Sequence, residues 1–541
     1  MAPIFVGSND DNSRVRSDRV GFAISTSNPG SASEGDAYYN SSDSQLNIYD
    51  GSEWTSAGAG GNSVELVASG TLSDGQTVII TSDGKVSGVS SSLVGSTSAS
   101  FGDATVFHNS DTEDYSTVAY DANAQRVVIA YRDQGDSNKG KAVVGTITGT
   151  AVTFGSEVQF ESGSIQYPAI AYDANAQKVV ISYEDTSDSG QGTAVVGTVS
   201  GSSISFGTPV QYETGRVSRN AIVYDSTAQK VILTFQDNDD SNNNKAIVGT
   251  VSGTSISFGT AVTYNSGATT NSYKGYIAYD SNADRVVIFY GDSGNSEHGY
   301  AIVGTVSGTS ISFGTEVQVD SSASQSCKAV YDSENQKVIV IYIDTGNSYR
   351  GTARVGTVSG TSISFGSEAT FSSTAVNTIE AVYDSSAKKV IIAFRDENNS
   401  NYGAVVAGTV SGTDITFGTK QTFESANSTT LSIAHDSGNK KNIITYADQG
   451  NSKKGTAIIA NYMSASTNLT ANNFLGFSDA AYSDGQTAKI QIAGSVDDAQ
   501  SGLTTAKKHY VQNDGSLSTT AGDPSVFAGV GISTTQIIVL G

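Results

Sequence analysis

The chain contains a repeat of about 52 residues that occurs seven times between residues 101 and 462. Three residue columns define the register, and the two aspartate columns are spaced by 52 residues in every step but one, which is 55. A Phe-Gly pair opens each copy, at Phe101, Phe154, Phe206, Phe258, Phe313, Phe365 and Phe417. The first aspartate column comprises Asp121, Asp173, Asp225, Asp280, Asp332, Asp384 and Asp436, and the second comprises Asp133, Asp185, Asp237, Asp292, Asp344, Asp396 and Asp448. A period this strict restricts the chain to a repeat architecture.

Each copy carries four short runs that are rich in Val, Ile, Tyr, Phe and Thr and are separated by Gly, Ser, Asn and Asp. None of these runs shows the 3.6-residue periodicity of a helix. The second and third runs are almost continuously apolar, which predicts strands that are buried on both faces. Four-stranded units of about 50 residues are the blades of a β-propeller. The sequence therefore predicts an all-β protein with a seven-bladed β-propeller over residues 97–467, and the alternative, a β-solenoid, normally has shorter repeats.

The order of the runs predicts how the ring closes. Phe101 and its glycine precede the first aspartate, whereas no Phe-Gly pair follows the last copy. Because an open ring leaves unpaired strand edges, we expect residues 97–106 to form the outermost strand of the blade that holds Tyr446. Successive strands alternate in direction, so the short, uniform turns lie on one face and the variable loops lie on the other. Recognition is expected on the variable face.

Composition excludes several classes of partner. A net charge of −23 argues against nucleic acid, because phosphate binding needs clustered Lys and Arg. Cys327 is the only cysteine, so neither an intrachain disulfide nor a cysteine-based zinc site is expected. No apolar run approaches the roughly 20 residues of a membrane span, and no signal peptide follows Met1. We expect no membrane insertion and a β-rich virion or extracellular protein that is released by lysis.

The two ends of the chain flank the repeats with different patterns. Residues 1–61 read as an N-terminal attachment arm, with a hairpin pattern over 36–54 and a Gly/Ala linker over 57–61. The run Ser73-Asp74-Gly75-Gln76-Thr77 recurs at 483–487, and both copies carry the Asp-Gly signal of a tight turn. Residues 62–96 plus 468–541 are therefore predicted to form one small, discontinuous β module.

The pattern Gly-Asp-Ala-Tyr-Tyr-Asn followed by Tyr-Asp-Gly-Ser-Glu-Trp, over residues 35–54, resembles the N-terminal segment of tailed-phage structural and tail-fibre proteins. Residues 502–529 resemble a small β module of marine-phage virion proteins. The resemblance implies a virion structural protein in a tail, collar or fibre appendage, attached to other virion proteins through residues 1–60. It also implies a homo-oligomer in the particle and host-surface carbohydrate or another receptor as the ligand. The alternatives are a capsid decoration protein and a propeller glycosidase or depolymerase.

Catalytic and metal motifs do not stand out from the repeat background. The second aspartate column is interpreted as accepting backbone N–H bonds in the following turn, because a residue that is equal in every blade does not define a single active site. No Gly-x-Ser-x-Gly, His-Glu-x-x-His or phosphate-loop pattern occurs, and acidic runs such as 237–241 do not fit the calcium-loop pattern. We therefore expect a non-enzymatic protein without a cofactor, and calcium is left open without a specific motif.

The four histidines, His108, His298, His435 and His509, occupy unrelated places in the repeat pattern. His435 replaces a tyrosine that precedes the first aspartate column, which indicates a core substitution. The candidate recognition residues are aromatic and basic residues assigned to variable-face loops: Arg216, Arg219, Tyr273, Lys274, Tyr276, Tyr300, Tyr349 and Arg350. Aromatic residues in such loops either stack on sugars or anchor the loop, and the sequence leaves both roles open.

Overall fold

The computed structural model describes residues 23–25, 27, 28, 30, 37–40, 45–49, 52, 54–56, 62–112, 115–269 and 276–540. Its regular elements in these ranges are β-strands and one-turn 3-10 helices, so the fold is all-β, as the sequence predicts. No helix within these ranges has the length and apolar character needed to cross a membrane. The chain divides into one compact unit of residues 95–464 and a second of residues 1–94 with 465–541.

Four antiparallel strands form each repeat of the larger unit. The first strands, which we call inner strands, end at the first aspartate column: Ser116–Asp121, Val158–Asp173, Val210–Asp225, Ile277–Asp280, Val317–Asp332, Ala369–Asp384 and Gln421–Asp436. The second strands are Arg126–Asp133, Lys178–Asp185, Lys230–Asp237, Arg285–Asp292, Lys337–Asp344, Lys389–Asp396 and Lys441–Asp448. The third strands are Lys139–Thr148, Gln191–Ser200, Asn243–Ser252, His298–Ser307, Arg350–Ser359, Tyr402–Ser411 and Lys454–Thr467.

The outer strand of each repeat is built from two pieces. The first piece is short, at Ala151–Phe154, Ser203–Phe206, Ser255–Phe258, Ser310–Phe313, Ser362–Phe365 and Asp414–Phe417. The second piece is usually the beginning of the next inner strand: residues 158–161 pair with the third strand of repeat 1, whereas residues 165–173 pair with the second strand of repeat 2. In repeat 4 the piece that precedes the inner strand is a separate strand, Val262–Asn265. One long strand therefore connects the rim of one repeat with the centre of the next.

The seven inner strands form a circuit. Each inner strand lies beside that of the following repeat, and the inner strand of repeat 7 lies beside that of repeat 1. At this last junction Ser116 Oγ donates to the carbonyl of Thr430 at 3.2 Å, and Val118 N donates to Ser432 Oγ at 3.3 Å. Four-stranded units arranged around a central circuit are a β-propeller, as the sequence predicts.

Residues before the first repeat supply the outer strand of the last one. Ser91–Phe101 and Thr105–Asp111 both pair with the third strand of repeat 7, whose second strand holds Tyr446. The registers Thr456↔Val106 and Gly455↔His108 belong to this pairing, and Gly102 N donates to Ile459 O at 2.9 Å. The predicted closing strand is confirmed, and it begins earlier and ends later than residues 97–106.

The core of the larger unit lies between successive repeats. Val179, Val180 and Ile181 in a second strand are fully buried, which agrees with their continuous apolar pattern. One cluster joins Val128 and Val144 of repeat 1 to Ile181 and Val195 of repeat 2. Each sheet is therefore covered on both faces by its neighbours, and burial of this kind contributes roughly 25 cal/mol per Å² of apolar surface.

The described part of the smaller unit contains two five-stranded sheets, of which the first draws strands from both ends of the chain and the second only from the C-terminal segment. The first sheet combines Ser63–Val67, Thr77–Ile80, Val86–Gly88, Phe474–Ser478 and Thr487–Gln491. The second sheet combines Val496–Asp497, Lys508–Val511, Leu517–Ser518, Val526–Gly531 and Ile537–Val539. Strands of 62–96 pair directly with strands of 468–541, so the flanking β module is discontinuous, as the sequence predicts.

Among the described residues of the N-terminal arm there are four short strands, Ala23–Ser25, Ala37–Asn40, Gln45–Tyr49 and Trp54–Ser56. The second and third of these strands pair antiparallel, as the predicted hairpin requires, and the turn between them lies outside the described residues. Tyr49 and Trp54 are partners in the antiparallel pairing of the third and fourth strands, and their ring centroids lie 5.4 Å apart. The role of the arm in attachment stays a prediction.

Candidate functional site

The inner strands carry a β-bulge near the end that faces the variable loops. Their pairing with the second strands shifts register between Gln166 and Ala169, and corresponding shifts occur in repeats 3, 5, 6 and 7. A bulge re-aims side chains and is common beside binding sites. At each of these bulges a non-glycine residue has a positive φ: Tyr167 (48°), Arg219 (57°), Ser326 (52°), Thr378 (47°) and Thr430 (53°). This left-handed backbone is sterically unfavourable for side chains other than glycine, asparagine and aspartate.

The bulges direct side chains from several repeats into one cavity of about 490 Å³, which we call the axial pocket. Its lining is Tyr115, Tyr167, Arg219, Gln325, Ser326, Lys328, Ile343, Asn377, Thr378, Ile379, Glu380, Thr430 and Leu431. Most of these residues lie four to seven positions before an aspartate of the first column. The volume falls in the range of about 300–1,000 Å³ that is typical of small-molecule sites.

One side of the axial pocket is aromatic and basic. The rings of Tyr115 and Tyr167 come from neighbouring repeats and meet edge to face with centroids 5.0 Å apart. The Arg132 guanidinium lies 5.1 Å from the centroid of the Tyr115 ring, in cation–π geometry. The next repeat contributes Arg219, whose Nη1 donates to the carbonyl of Thr269 at 2.6 Å. Burial lowers the pKa of Arg219 from its usual value, although a guanidinium stays charged at neutral pH.

The opposite side of the pocket carries a buried ion pair. Lys328 Nζ lies 3.3 Å from Glu380 Oε1, and the two side chains are 4% and 8% exposed. They occupy the same position in repeats 5 and 6, four residues before Asp332 and Asp384. The corresponding residues of repeats 2 and 3 are Ala169 and Ala221, so the charged pair is specific to one side of the ring. Apolar side chains of Ile343, Ile379 and Leu431 also belong to the lining.

This combination suits a polyhydroxylated ligand. An aromatic face packs against the C–H surface of a sugar ring, while a carboxylate accepts and an ammonium donates hydrogen bonds to hydroxyl groups. Amides of Gln325 and Asn377 and hydroxyls of Thr378 and Thr430 add further donors and acceptors. Among the described lining residues Glu380 is the one carboxylate, and it is already paired with Lys328.

Both aspartate columns serve the turns, which confirms the structural interpretation of the second column. In the first column each carboxylate accepts backbone N–H bonds of the following turn, as Asp225 does from Thr227 and Ala228 at 3.0 and 2.8 Å. In the second column Asp133, Asp185, Asp237, Asp292, Asp344 and Asp448 do the same. Asp396 differs because its carboxylate instead contacts Thr374 and Lys420.

The six predicted recognition residues that the structure describes do not form one site. Arg219 lines the axial pocket, whereas Tyr273 and Lys274 lie outside the described residues. Arg216 is exposed and pairs with Glu184 at 3.1 Å, outside the pocket lining. Tyr349, which is 52% exposed, and Arg350, whose Nη1 lies 3.5 Å from Asn347 Oδ1, also lie outside the lining.

Two of these predictions need correction. Tyr276 is 3% exposed and its hydroxyl donates to the carbonyl of Arg219 at 2.6 Å, so it anchors the backbone beside the pocket. Tyr300 is 9% exposed and belongs to the strand His298–Ser307, where its hydroxyl contacts Asn295. Both rings are buried in the packing between repeats, so neither is exposed in a loop. The sequence interpretation missed Lys328 and Glu380, although a charged residue within an apolar inner strand is a signal that the repeat register offers.

Comparisons with known proteins extend only to the fold. No protein-family model matches the chain, and no curated protein matches it. Solved structures that resemble it include a Dyadobacter fermentans protein of unknown function, at 10% identity and a TM-score of 0.43 over 67% of this chain and 99% of that one. The BP39L lectin of Burkholderia pseudomallei aligns at 7% identity and a TM-score of 0.48, over 66% of this chain and 98% of the lectin. The Cps50 (Swd1) β-propeller domain of Myceliophteria thermophila aligns at 7% identity and a TM-score of 0.43, over 66% of this chain and 99% of that domain.

Proposed function

We propose that this protein is a non-enzymatic structural protein of a phage virion, part of a tail, collar or fibre appendage, and that its propeller binds a host-surface glycan. The observation that carries the binding proposal is the axial pocket, where a tyrosine wall faces a buried ion pair across one cavity. Its lining lies at the bulge end of the inner strands, which is the end that adjoins the variable loops and the face that the repeat scaffold leaves free to differ between blades.

The strained backbone of the pocket supports a binding role. Five non-glycine residues hold positive φ angles at the bulges, and such strain persists where the surrounding structure over-determines it. Rigid placement of this kind reduces the entropy that a ligand must offset when it binds. Tyr167 and Arg219 are therefore held in position before a glycan arrives.

The non-enzymatic part of the proposal rests on the pocket's charges. Glycoside hydrolysis ordinarily uses two carboxyl groups about 5–9.5 Å apart, one on each side of the scissile bond. The described lining offers the single carboxylate of Glu380, with its charge compensated by Lys328. Recognition of hydroxyl groups needs no second carboxylate, so binding without turnover suits this set of side chains.

The virion context is supported by the sequence resemblances over residues 35–54 and 502–529. An arm over residues 1–60 that attaches to other virion proteins would leave the propeller displayed at the surface of the particle, as a homo-oligomer where the appendage is symmetric. Immunogold labelling of intact particles with antibody against the propeller tests this placement. Labelling of a tail, collar or fibre is expected, whereas labelling spread over the capsid would favour a decoration protein instead.

An array of bacterial surface polysaccharides, probed with the purified full-length protein, tests the binding proposal. We expect retention on at least one polysaccharide, and no release of reducing ends from it. Replacing Tyr167 with alanine should weaken binding about tenfold, equivalent to ~1.4 kcal/mol. The matched control is Tyr349→Ala, which removes an exposed tyrosine outside the pocket lining and should leave binding unchanged. Equal loss in both variants, or release of reducing ends, contradicts the proposal.

A further inference from the structure

A second cluster of polar side chains lies at the closing strand, away from the axial pocket's lining. His108 lies on the strand Thr105–Asp111, while Asp133 ends the second strand of repeat 1. Glu157 lies between the two outer pieces of repeat 1. His108 is 5% exposed and Asp133 is 3% exposed. One ligand atom from each of the three residues lies within 4.8 Å of the others.

The cluster is specific to the closure. The strand register that places His108 opposite Gly455 places carboxylates or an amide at the same position in other repeats: Glu161, Glu213, Asn265, Asp320 and Glu424. At two of these positions the carboxylate accepts a tyrosine hydroxyl, as Glu161 does from Tyr183 and Glu424 from Tyr446, both at 2.9 Å. An imidazole at this position therefore changes a hydrogen-bonding site into a set of nitrogen and oxygen donors.

The two nitrogens of His108 face different partners. Nδ1 lies 2.6 Å from Glu157 Oε1, and the Tyr131 hydroxyl lies 3.3 Å from the same nitrogen. A carboxylate at this distance orients the ring and keeps the proton on Nδ1, which leaves the Nε2 lone pair available. Nε2 lies 2.5 Å from Ser110 Oγ and 3.1 Å from Asp133 Oδ1, and these two oxygens are 3.0 Å apart.

The geometry points to a divalent metal site of the zinc class, with His108 Nε2 and Asp133 Oδ1 as ligands and Ser110 Oγ as a neutral third donor. Three donor atoms separated by 2.5–3.1 Å can all lie about 2.1 Å from one ion, which is the Zn–N and Zn–O distance. Glu157 supplies the carboxylate behind the histidine that metal-binding imidazoles usually have. Water completes the coordination, since Ser110 is half-buried and the Glu157 side chain is 33% exposed.

The local charge favours a cation. Asp133, Asp136 and Glu157 carry three negative charges near the histidine, and Lys139 and Lys141 compensate two of them. Lys141 Nζ contacts the other carboxylate oxygen of Asp133, Oδ2, at 2.7 Å, so Oδ1 is the atom that faces the site. An ion here would connect the outer strand of repeat 7 to repeat 1 and would stabilise the closure of the ring.

Titration of the full-length, EDTA-treated and desalted protein with ZnCl2 alone tests this inference by isothermal calorimetry and thermal unfolding. We expect one strongly bound equivalent and a rise in the unfolding temperature. Glu157→Gln should lower the affinity about 10- to 100-fold, the usual effect of losing such a second carboxylate. His108→Gln should abolish the strong site, whereas the control His298→Gln should retain it, because His298 lies on the third strand of repeat 4 and contacts Gln318 on the strand Val317–Asp332.

Three results would overturn the proposed site. The first is that the wild-type protein binds no zinc equivalent tightly. The others are that tight zinc binding survives in His108→Gln, or that it is lost in His298→Gln. If His108→Gln does not fold, nitrogen NMR of the wild-type histidines decides the question. Zinc should shift the Nε2 resonance of His108, and a spectrum of His108 that zinc leaves unchanged would show that the cluster holds no metal.

Discussion

The buried ion pair of the axial pocket gives the sharpest test of how that pocket is built. Lys328→Ala removes the ammonium partner of the Glu380 carboxylate, which is 8% exposed and therefore largely shielded from water. Breaking a buried pair in this way costs roughly 3–5 kcal/mol, because the surviving charge stays desolvated. The propeller unit of about 370 residues has an unfolding entropy of about 0.8 kcal/mol per kelvin, so its melting temperature should fall by about 4–6 °C.

The double variant Lys328→Met/Glu380→Leu separates charge from packing. Replacing a whole buried pair by apolar residues of similar volume is commonly neutral or stabilising by about 1–4 kcal/mol. We therefore expect the double variant to melt at or above the wild-type temperature in calorimetry and urea titration, yet to lose glycan binding. A single variant within about 0.5 kcal/mol of wild type, or a double variant as unstable as the single one, would refute this reasoning.

Three further outcomes follow from the fold. Asp225→Ala removes a buried carboxylate that caps two backbone N–H groups, and urea unfolding should show a loss of about 1–3 kcal/mol; the exposed Asp188→Ala should change stability by less than about 0.5 kcal/mol. Phe107→Ala in the closing strand should lower the free energy of unfolding by about 3–5 kcal/mol, as much as Phe371→Ala does at the same position of another blade. A Phe107 variant as stable as wild type in urea unfolding would show that the closing strand is dispensable. Burial raises the pKa of Tyr120, Tyr276 and Tyr279 to about 12, so the folded state keeps these phenols protonated while the unfolded chain ionises them near pH 10. Stability should thus be complete below about pH 10 and decline as the pH rises towards 12, with a shallower decline in Tyr279→Phe; equal slopes in urea unfolding at several pH values would contradict the assignment.

The repeat made the architecture predictable from sequence. The aspartate columns mark where inner and second strands end, and a carboxylate such as Asp225 caps the following turn for reasons that are local to the chain. The missing last Phe-Gly pair located the closing strand, because pairing is the simplest way to protect two free edges. Local propensity and edge protection therefore sufficed for the fold.

The axial pocket could not be predicted in this way, because its lining residues come from several repeats that are distant in sequence. The bulge places Tyr167, Arg219 or Ser326 at the same left-handed position, and these residues share no property that signals it. Lys328 and Glu380 meet because repeats 5 and 6 adjoin around the ring. Tyr276 shows the converse, since a tyrosine that follows a polar loop can point to solvent or into the packing between blades, and here it points inward.

Glycan binding in the axial pocket is tested most directly by a structure of the protein in complex with the polysaccharide fragment that the array selects. A sugar ring is expected against Tyr167, with its hydroxyl groups within hydrogen-bonding distance of Glu380 and Lys328. A fragment that is bound on the uniform turns or at the rim, with the axial pocket filled only by water, would contradict it.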